Sequence, residues 1–300
     1  MAGAGARRDA VGVGLTYQRE LHDFIVARCD LLDYLEVVPD TGWTDHGPAR
    51  TPRYVDDAAA LAFFRAFRRE RPIVAHSIGL SIGSAHRFRD EHIDQIARWD
   101  AMLDFAWHSD HLAFNLVRDV GGHEYLLGVP FSVARDDEAL DMIAARVAAV
   151  RRRIARPFLL ENNVNYIGFA GEAFDEPRFL NELCARGGCG LLLDLHNVYV
   201  DVRNGAADWD AYLSALDLRN VAEIHLAGGL THDGVYLDAH SGAVPDDVWA
   251  IAAQVVARCP NLRGITFELL GSWYKRMGPD LLAATLERMR ALAAAPMVAT

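Results

Sequence analysis

Eight short apolar segments, separated by longer segments of helical periodicity, constrain the fold of this chain more than any other feature. Each has a core of four to six residues rich in Val, Ile, Leu and Phe, which is typical of parallel strands buried on both faces. The segments are Val11–Leu15, Asp33–Val38, Pro72–His76, Phe105–His111, Pro157–Glu161, Gly190–Asp194, Val221–Leu226 and Gly264–Glu268. Alternation of strands and helices predicts a parallel α/β fold. Because no G-x-G-x-x-G or phosphate loop supports an open nucleotide-binding sheet, we expect a (β/α)8 TIM barrel.

The segments between these strands predict helices and two irregular loops. The helices are expected at Asp56–Glu70, Glu91–Met102, Glu138–Ile154, Glu176–Arg186, Trp209–Leu216, Asp246–Arg258 and Pro279–Ala294. Asp40–Arg53 and Arg118–Phe131 are predicted as active-site loops, the second with a hairpin around Gly121–Gly122. The 300 residues suit a single barrel domain, with residues 1–10 as a flexible N-terminus.

Composition limits the partners and the compartment. A net charge of −11 argues against nucleic acid, and the run Arg151–Arg153 is predicted to be the solvated face of a helix. The four cysteines form no C-x-x-C pair and are predicted to be reduced thiols in packed positions. Since neither a signal peptide nor an apolar run of about 20 residues is found, we expect a cytoplasmic protein that crosses no membrane.

Carboxylates and imidazoles close the apolar segments. From the second segment onward these residues are Glu36, His76, Asp110 with His111, Glu161, Asp194, His225 and Glu268. In a barrel they converge at the mouth formed by the carboxyl ends of the strands. A buried charge is costly unless it is paired or bound to a metal ion, so their convergence predicts a metal centre. Mixed imidazole and carboxylate ligands without thiolate suit iron, manganese or catalytic zinc, and these residues do not choose among the three.

Further residues near these strand ends could complete the site. Asp238 and His240, two positions apart, and Asn197 could hold an additional ion. Asp110 is predicted to orient a ligand imidazole rather than to coordinate. Taken singly, His76 or His225 could be a hydrogen-bonded core histidine, and Glu161 or Asp194 could cap a helix.

The remaining histidines do not follow the strand-end pattern. Surface positions are predicted for His22, His86, His92 and His123, while His46 and His232 lie in loops that could reach a substrate.

At these residues the chain resembles the multinuclear non-haem iron-dependent oxidative enzymes, which include the methanobactin-biosynthesis oxygenase. The blocks LEVVPD, HSIGLSIGS, SDHLAF, LLENN, LLLDLHNVYV and EIHLAG follow the family's order between Gly12 and Glu268. The resemblance implies a barrel with two to three iron ions. It implies one iron on His76, His111 and Glu161, a second on Glu161, Asp194, His225 and Glu268, and a third on Asn197, Asp238 and His240. Glu161 would bridge the first two irons, and Glu161, Asp194 and His225 would act in catalysis through ligation.

The resemblance also implies an activity. Similar enzymes use O2 to oxidise a side chain, Cys or Asp/Asn, of a ribosomally made precursor peptide, often with a separate leader-binding partner protein. A closed barrel has no edge strand to bind the peptide, which favours such a partner. This chain departs from the family at His196, at Gly229 and in FELLGSWY. Support of the ligands or contact with substrate is predicted for Glu36, His196, His232, Trp273 and Tyr274, the last two as an aromatic wall.

Two other functions fit the same residues. A divalent-metal hydrolase or isomerase of the xylose-isomerase-like barrel type would use the same ligand types on a small molecule. A metal-storage or peptide-binding barrel would use them without catalysis.

Overall fold

The computed structural model describes residues 11–298 and confirms the predicted barrel. Its strands are β1 (Gly12–Thr16), β2 (Tyr34–Val37), β3 (Trp43–Asp45), β4 (Tyr54–Asp56), β5 (Ile73–Ser77), β6 (His108–His111), β7 (Ala113–Arg118), β8 (Glu124–Ser132), β9 (Phe158–Glu161), β10 (Gly190–Asp194), β11 (Val221–Leu226), β12 (Leu230–His232), β13 (Val235–Leu237) and β14 (Gly264–Phe267). Eight of these form a closed parallel barrel in the order β1-β14-β11-β10-β9-β6-β5-β2. Each of the eight predicted apolar segments contains one barrel strand. The prediction for residues 1–10 lies outside the described residues.

Helices fill the connections between the barrel strands. They are α1 (His22–Ala27), α2 (Ala58–Arg68), α3 (Asp90–Leu103), α4 (Asp137–Arg153), α5 (Glu176–Gly187), α6 (Leu195–Arg203), α7 (Trp209–Ala215), α8 (Asp246–Val256), α9 (Gly271–Met277) and α10 (Pro279–Ala293). All seven predicted helices are confirmed, whereas the sequence analysis missed α1, α6 and α9. The β-branched residues of α6 disfavour a helix. Burial of Leu195 through Asp201 and a cap by Asp194 outweigh that weak local preference.

The chain divides into two compact units. The first comprises Met1–Asp33 with Leu191–Thr300. Within it, β11 lies between β14 and β10, and His225 is in register with Thr266 on one side and with Asp194 on the other. Asp194 and His225 therefore end neighbouring strands at the same level.

The second unit is Tyr34–Gly190. Its barrel strands β2, β5, β6 and β9 are parallel, and His111 is in register with Glu161. Two antiparallel two-stranded sheets, β3–β4 and β7–β8, stand outside the barrel order. The predicted hairpin around Gly121–Gly122 is thus confirmed, while the segment predicted as a loop from Asp40 to Arg53 includes a short strand.

An aromatic cluster anchors the β3–β4 sheet. The Trp43 ring packs edge-on against Trp99 at 5.3 Å, and Trp99 Nε1 donates a hydrogen bond to Asp56 Oδ1 at 3.0 Å. Gly42 is required beside them, because a Cβ atom there would overlap the Trp99 ring.

The described residues also include the four cysteines and the arginine run at the end of α4. The four cysteines are thiols, with Cys184 and Cys259 buried and Cys29 and Cys189 partly exposed. Arg151–Arg153 lie exposed at the end of α4, as predicted. None of the helices in the described part of the chain is long and apolar enough to span a bilayer.

We predict that Asp45 gives the protein a pH-dependent part of its stability. The hydrogen bond from Arg53 at 2.8 Å lowers the pKa of Asp45 from 3.8 to about 2, although burial opposes it. Because the pKa is depressed, the ionised carboxylate stabilises the folded state above pH 3.8, and this contribution is lost as the pH falls through about 2. The difference in unfolding free energy between the wild type and Asp45→Asn should be largest near neutral pH and shrink in acid. Urea unfolding at a series of pH values measures it, with exposed Asp210→Asn as control. A difference that does not change with pH would contradict the assignment.

Candidate metal centre

Two imidazoles and one carboxylate converge at the ends of β5, β6 and β9 in the second unit. We call His76, His111 and Glu161 the His76 cluster. The Oε2 atom of Glu161 lies 3.3 Å from Nε2 of His76 and 3.3 Å from Nε2 of His111. His76 and Glu161 are each only 2% exposed. Glu161 caps no helix, since Asp175 caps the next one, α5. The alternative of a helix cap therefore does not apply to Glu161.

Each imidazole of the His76 cluster is held from its other side. Nδ1 of His76 lies 2.9 Å from the Ser109 hydroxyl oxygen, and Nδ1 of His111 lies 3.2 Å from the Ser77 carbonyl oxygen. Because a carbonyl can only accept, the hydrogen on the His111 ring lies on Nδ1. In the neutral ring, Nε2 of His111 is then the acceptor nitrogen and faces Glu161, as metal ligation requires.

The orienting role predicted for Asp110 belongs instead to Ser109 and Ser77. Alternation along β6 places Ser109 and His111 on one face of the strand and Asp110 on the other. Asp110 there accepts a hydrogen bond from the Leu80 backbone at 3.4 Å. Burial, with the nearby Asp40 carboxylate, raises the pKa of Asp110 well above its ordinary value.

A second group of ligand atoms gathers in the first unit. Asp194, His225 and Glu268 each offer one atom within 4.8 Å of the others, and we call them the His225 cluster. Nδ1 of His225 lies 3.4 Å from Oε2 of Glu268. All three residues are buried. The three strand-end residues predicted from β10, β11 and the end of β14 therefore do lie together.

Asp194 combines two roles that the sequence analysis treated as alternatives. Its Oδ1 accepts a hydrogen bond from the Asn197 backbone at 2.8 Å and so caps α6. A carboxylate has two oxygens, so a cap through Oδ1 does not by itself exclude coordination through Oδ2. The cap also places Asn197 in the first turn of α6, where the residue is buried.

The Asp238–His240 loop approaches the His225 cluster. Nε2 of His240 lies 3.1 Å from Oε2 of Glu268 and 3.3 Å from Oδ1 of Asp238. That same Asp238 oxygen is 2.8 Å from Nδ1 of His196. His240 has a φ of 44°, a conformation that is uncommon for a residue with a side chain and that recurs at functional sites.

Glu223 is a residue of this region that the sequence analysis missed. It is fully buried two positions before His225 on β11, so both side chains point to the same face of the strand. Its Oε1 accepts a hydrogen bond from the Thr266 hydroxyl at 2.7 Å and lies 3.7 Å from Nε2 of His225. His225 thus lies between Glu223 on one side and Glu268 on the other. The i, i+2 spacing in VAEIHL was the signal that could have identified Glu223.

Four further residues were predicted to support the ligands or to contact substrate. Glu36 is fully buried in β2, and exposed His232 contacts Asp233 at 3.5 Å. Tyr274 packs edge-on against Phe24 at 6.2 Å, and Trp273 lies 5.3 Å beneath the Arg276 guanidinium. A role for these residues toward substrate stays a prediction.

The surface position predicted for His92 is wrong. His92 is buried, and its Nε2 lies 3.2 Å from Oδ1 of Asp40. Burial raises the pKa of Asp40, but the hydrogen bond and charge of His92 outweigh burial, so the pKa of Asp40 lies below its ordinary value. His92, Ile96 and Trp99 recur at helical spacing on the buried face of α3, a signal that could have located His92.

A cavity of about 490 Å³ opens beside His111 in the second unit. Its wall is formed by four parts of the chain. These are the Asp40–Arg53 segment, the β7–β8 hairpin, the start of α3 and the residues directly after β5. Trp43 contributes an aromatic ring to this wall. A volume of this size is typical of pockets that bind small ligands or peptide side chains.

The donor atoms of the two clusters fit divalent or trivalent ions of intermediate softness. They comprise imidazole nitrogens and carboxylate oxygens, with no thiolate among them. Such sets suit iron, manganese or catalytic zinc rather than Cu(I) or iron–sulfur clusters. Carboxylates brought together in a buried region also require positive charge nearby.

The sequence has clear relatives. Residues 12–269 match the family described as RiPP precursor modification enzyme MbnB/TglH/ChrH. A UPF0276 protein of Caulobacter vibrioides is 33% identical over 250 residues, covering 83% of each chain. A UPF0276 protein of Chromobacterium violaceum is 35% identical over 227 residues, covering 75% of this chain and 78% of the relative.

Solved structures share the fold at low sequence identity. D-psicose 3-epimerase of Clostridium cellulolyticum superposes with a TM-score of 0.58 at 10% identity, covering 94% of this chain and 99% of the epimerase. Endonuclease IV of Thermus thermophilus gives a TM-score of 0.55 at 17% identity, covering 94% and 98%. These similarities concern the barrel and not the chemistry.

We predict that Gly228→Ala disturbs the loop that carries Asp238 and His240. A Cβ atom at Gly228 would overlap the backbone oxygens of Ser241 and Ala243, which cannot move independently of that loop. Overpacking of this kind costs about 1–3 kcal/mol, so chemical denaturation should show a loss of stability of that size. Gly168→Ala is the matched control, because nothing lies within 4 Å of its added Cβ. Equal stability of both variants would show that the loop adjusts freely.

Proposed function

Because this chain belongs to the family of RiPP precursor modification enzymes MbnB/TglH/ChrH, we propose that it is an iron-dependent oxidative enzyme acting on a precursor peptide. It would use O2 to oxidise a Cys, Asp or Asn side chain of a ribosomally made peptide. The observation that carries the proposal is the convergence of two imidazole nitrogens on one buried carboxylate oxygen, at 3.3 Å each, in the His76 cluster. Ligand atoms at such distances repel or compete for protons unless a cation lies among them.

We assign the ligands by cluster. The His76 cluster would hold one iron and the His225 cluster a second, with Glu161 as the bridge that the family resemblance implies. Asn197, Asp238 and His240 would hold a third. Bound iron would supply electrons to O2 and a Lewis-acidic position for the substrate group. Two to three iron ions would balance the carboxylates that the strands bring to this region.

The protein's own residues would keep these ligands in the required protonation state. The Ser77 carbonyl fixes the ring hydrogen of His111 on Nδ1 and so presents Nε2 as a ligand atom. Glu223 would play the corresponding part for His225 by holding its hydrogen on Nε2, which leaves Nδ1 as the ligand atom toward Glu268. The Thr266 hydroxyl would in turn hold Glu223 in place. Carboxylates and carbonyls behind ligand histidines commonly strengthen metal binding in this way.

The charge of the metal centre would favour an anionic side chain as the reacting group of the substrate. A thiolate or carboxylate of a peptide would be attracted to a metal centre with net positive charge and would complete its coordination. The net charge of −11 does not favour a nucleic-acid substrate. A separate protein that binds the leader of the precursor would raise the local concentration of the reacting residue.

A divalent-metal isomerase or hydrolase is the alternative function. The same imidazole and carboxylate ligands would serve it, and the superposed D-psicose 3-epimerase acts on a sugar. At 10% identity, however, that similarity concerns the fold alone. The family match therefore favours the peptide substrate.

We predict that Glu161→Gln lowers the metal content. The substitution removes a charge shared by the ligands of the His76 cluster while conserving side-chain volume, so at least one iron should be lost with the fold retained. Metal analysis by mass spectrometry and circular dichroism of the purified variant measure both. Glu287→Gln, a change at an exposed glutamate, is the control and should bind as much iron as the wild type. Equal iron in both variants would remove Glu161 from the ligand set.

We further predict peptide-dependent consumption of O2. Iron-loaded protein, incubated with Cys-, Asp- or Asn-bearing peptides encoded near its gene, should consume O2 and change the mass of the peptide. Zinc-loaded protein is the control and should do neither, because zinc undergoes no redox change. Full activity with zinc, or turnover of free sugars without any peptide, would instead support the isomerase or hydrolase.

A further inference from the structure

The cavity beside His111 has polar residues that already bind one another. Asp40 contacts His92 at 3.2 Å and accepts a hydrogen bond from the Ile78 backbone at 3.1 Å. Asp45 binds Arg53 at 2.8 Å and Arg89 at 3.1 Å. Arg89, the only Arg or Lys among the described residues that line the cavity, is thus paired with an acidic side chain. A charged group of a ligand would gain little here, so the walls favour an uncharged one.

The apolar part of the lining remains open to solvent. Ile78 is 43% exposed and Leu126 is 59% exposed, and both line the cavity. Large apolar side chains with this exposure beside a pocket mark a surface that binds another molecule. The Asn115 amide lies in the same wall and donates a hydrogen bond from Nδ2 to the Ile78 carbonyl oxygen at 3.0 Å.

Strand β8 connects this cavity to a longer apolar surface. Its register with β7 pairs Leu126 with Leu116 and Phe131 with Phe114. Residues 127–130 are therefore opposite Asn115 alone and bulge from the ladder. Bulges of this kind frequently adjoin active sites and redirect side chains. Here Leu126, Gly128 and Pro130 all line the cavity.

Further exposed apolar side chains lie along β8. Tyr125 is 51% exposed and Val129 is 53% exposed. β8 belongs to a two-stranded sheet outside the barrel, in which β7 is its partner. The closed barrel has no edge strand, as expected, but the hairpin inserted after β6 supplies one outside the barrel. An exposed apolar edge is a template for a further strand, and peptides commonly bind proteins in this way.

From these observations we propose that β8 and the adjoining cavity form the docking site for the modified part of the precursor peptide. An extended segment would lie along β8, with an aliphatic or aromatic side chain in the cavity between Ile78 and Leu126. The neighbouring residues of the segment would thereby reach His111 and the His76 cluster. This inference rests on the proposed function and specifies its substrate: the reacting residue lies close in sequence to an apolar residue. The cavity's continuity with His111 favours the substrate peptide over a partner protein or a second copy of the chain.

The test is selection of random short peptides by mRNA display on the full-length, chelator-treated protein. Wild type should enrich peptides that carry an aliphatic or aromatic residue. Binding of these peptides to Leu126→Asp should weaken at least about tenfold. Val235→Asp, which places the same charge on a 44% exposed valine of the β12–β13 hairpin, is the matched control and should bind like wild type. Unchanged thermal unfolding of all three proteins verifies that they are folded.

Several results would overturn the proposal. These are enrichment of charged peptides, equal binding by Leu126→Asp, or no enrichment over beads. A wild-type dimer that Leu126→Asp converts to a monomer would assign the surface to a second copy. Because binding is measured without metal or turnover, its failure is separable from that of the proposed function. Peptides that bind but are never oxidised would contradict only the iron-dependent oxidation, and oxidised peptides that Leu126→Asp binds normally would contradict only the docking site.

Discussion

Carboxylates and imidazoles buried at the ends of parallel strands are the constraint on which this structure depends. Glu161, Asp194 and Glu268 are carboxylates at positions that are nearly or fully inaccessible to water. Each would destabilise the fold by several kcal/mol if left as an isolated charge. The strands nevertheless end on them and on histidines placed alongside. A fold that tolerates this arrangement needs a compensating cation, which is why the metal centre is the natural explanation for the sequence of these strands.

The supporting interactions show how the barrel defines the ligand geometry. Register along β6 and β9 aligns His111 with Glu161, and register along β10 and β11 aligns Asp194 with His225. Hydroxyl, carbonyl and carboxylate groups behind the rings then set their orientation, as Ser109 does for His76. Because these supports belong to strands rather than to loops, the barrel itself holds the side chains proposed as ligands in place. Preorganisation of this kind favours tight and selective binding.

On the proposed function, the segments outside the barrel order would adapt this common fold to a particular substrate. The superposed epimerase and endonuclease show that the barrel itself serves different reactions. In this chain the β3–β4 sheet and the β7–β8 hairpin surround the cavity beside His111. Trp43 is fixed there by Trp99, while Leu126 on the hairpin stays exposed. A rigid wall opposite an exposed apolar strand would suit the binding of a flexible peptide.

The sequence by itself determined the barrel, its eight strands and the residues at their ends. A strand buried on both faces is a continuous apolar run in the sequence, and a carboxylate or imidazole at its end stands out against that run. It did not determine α6, whose β-branched residues favour a strand until the Asp194 cap and burial outweigh them. Nor did it determine that Ser109 rather than Asp110 holds His76, that Glu223 stands behind His225, or that His92 is buried. Those facts depend on which face of a strand or helix a side chain occupies and on what lies across from it. Strand register and packing between distant segments decide both, and these exist only in the tertiary structure.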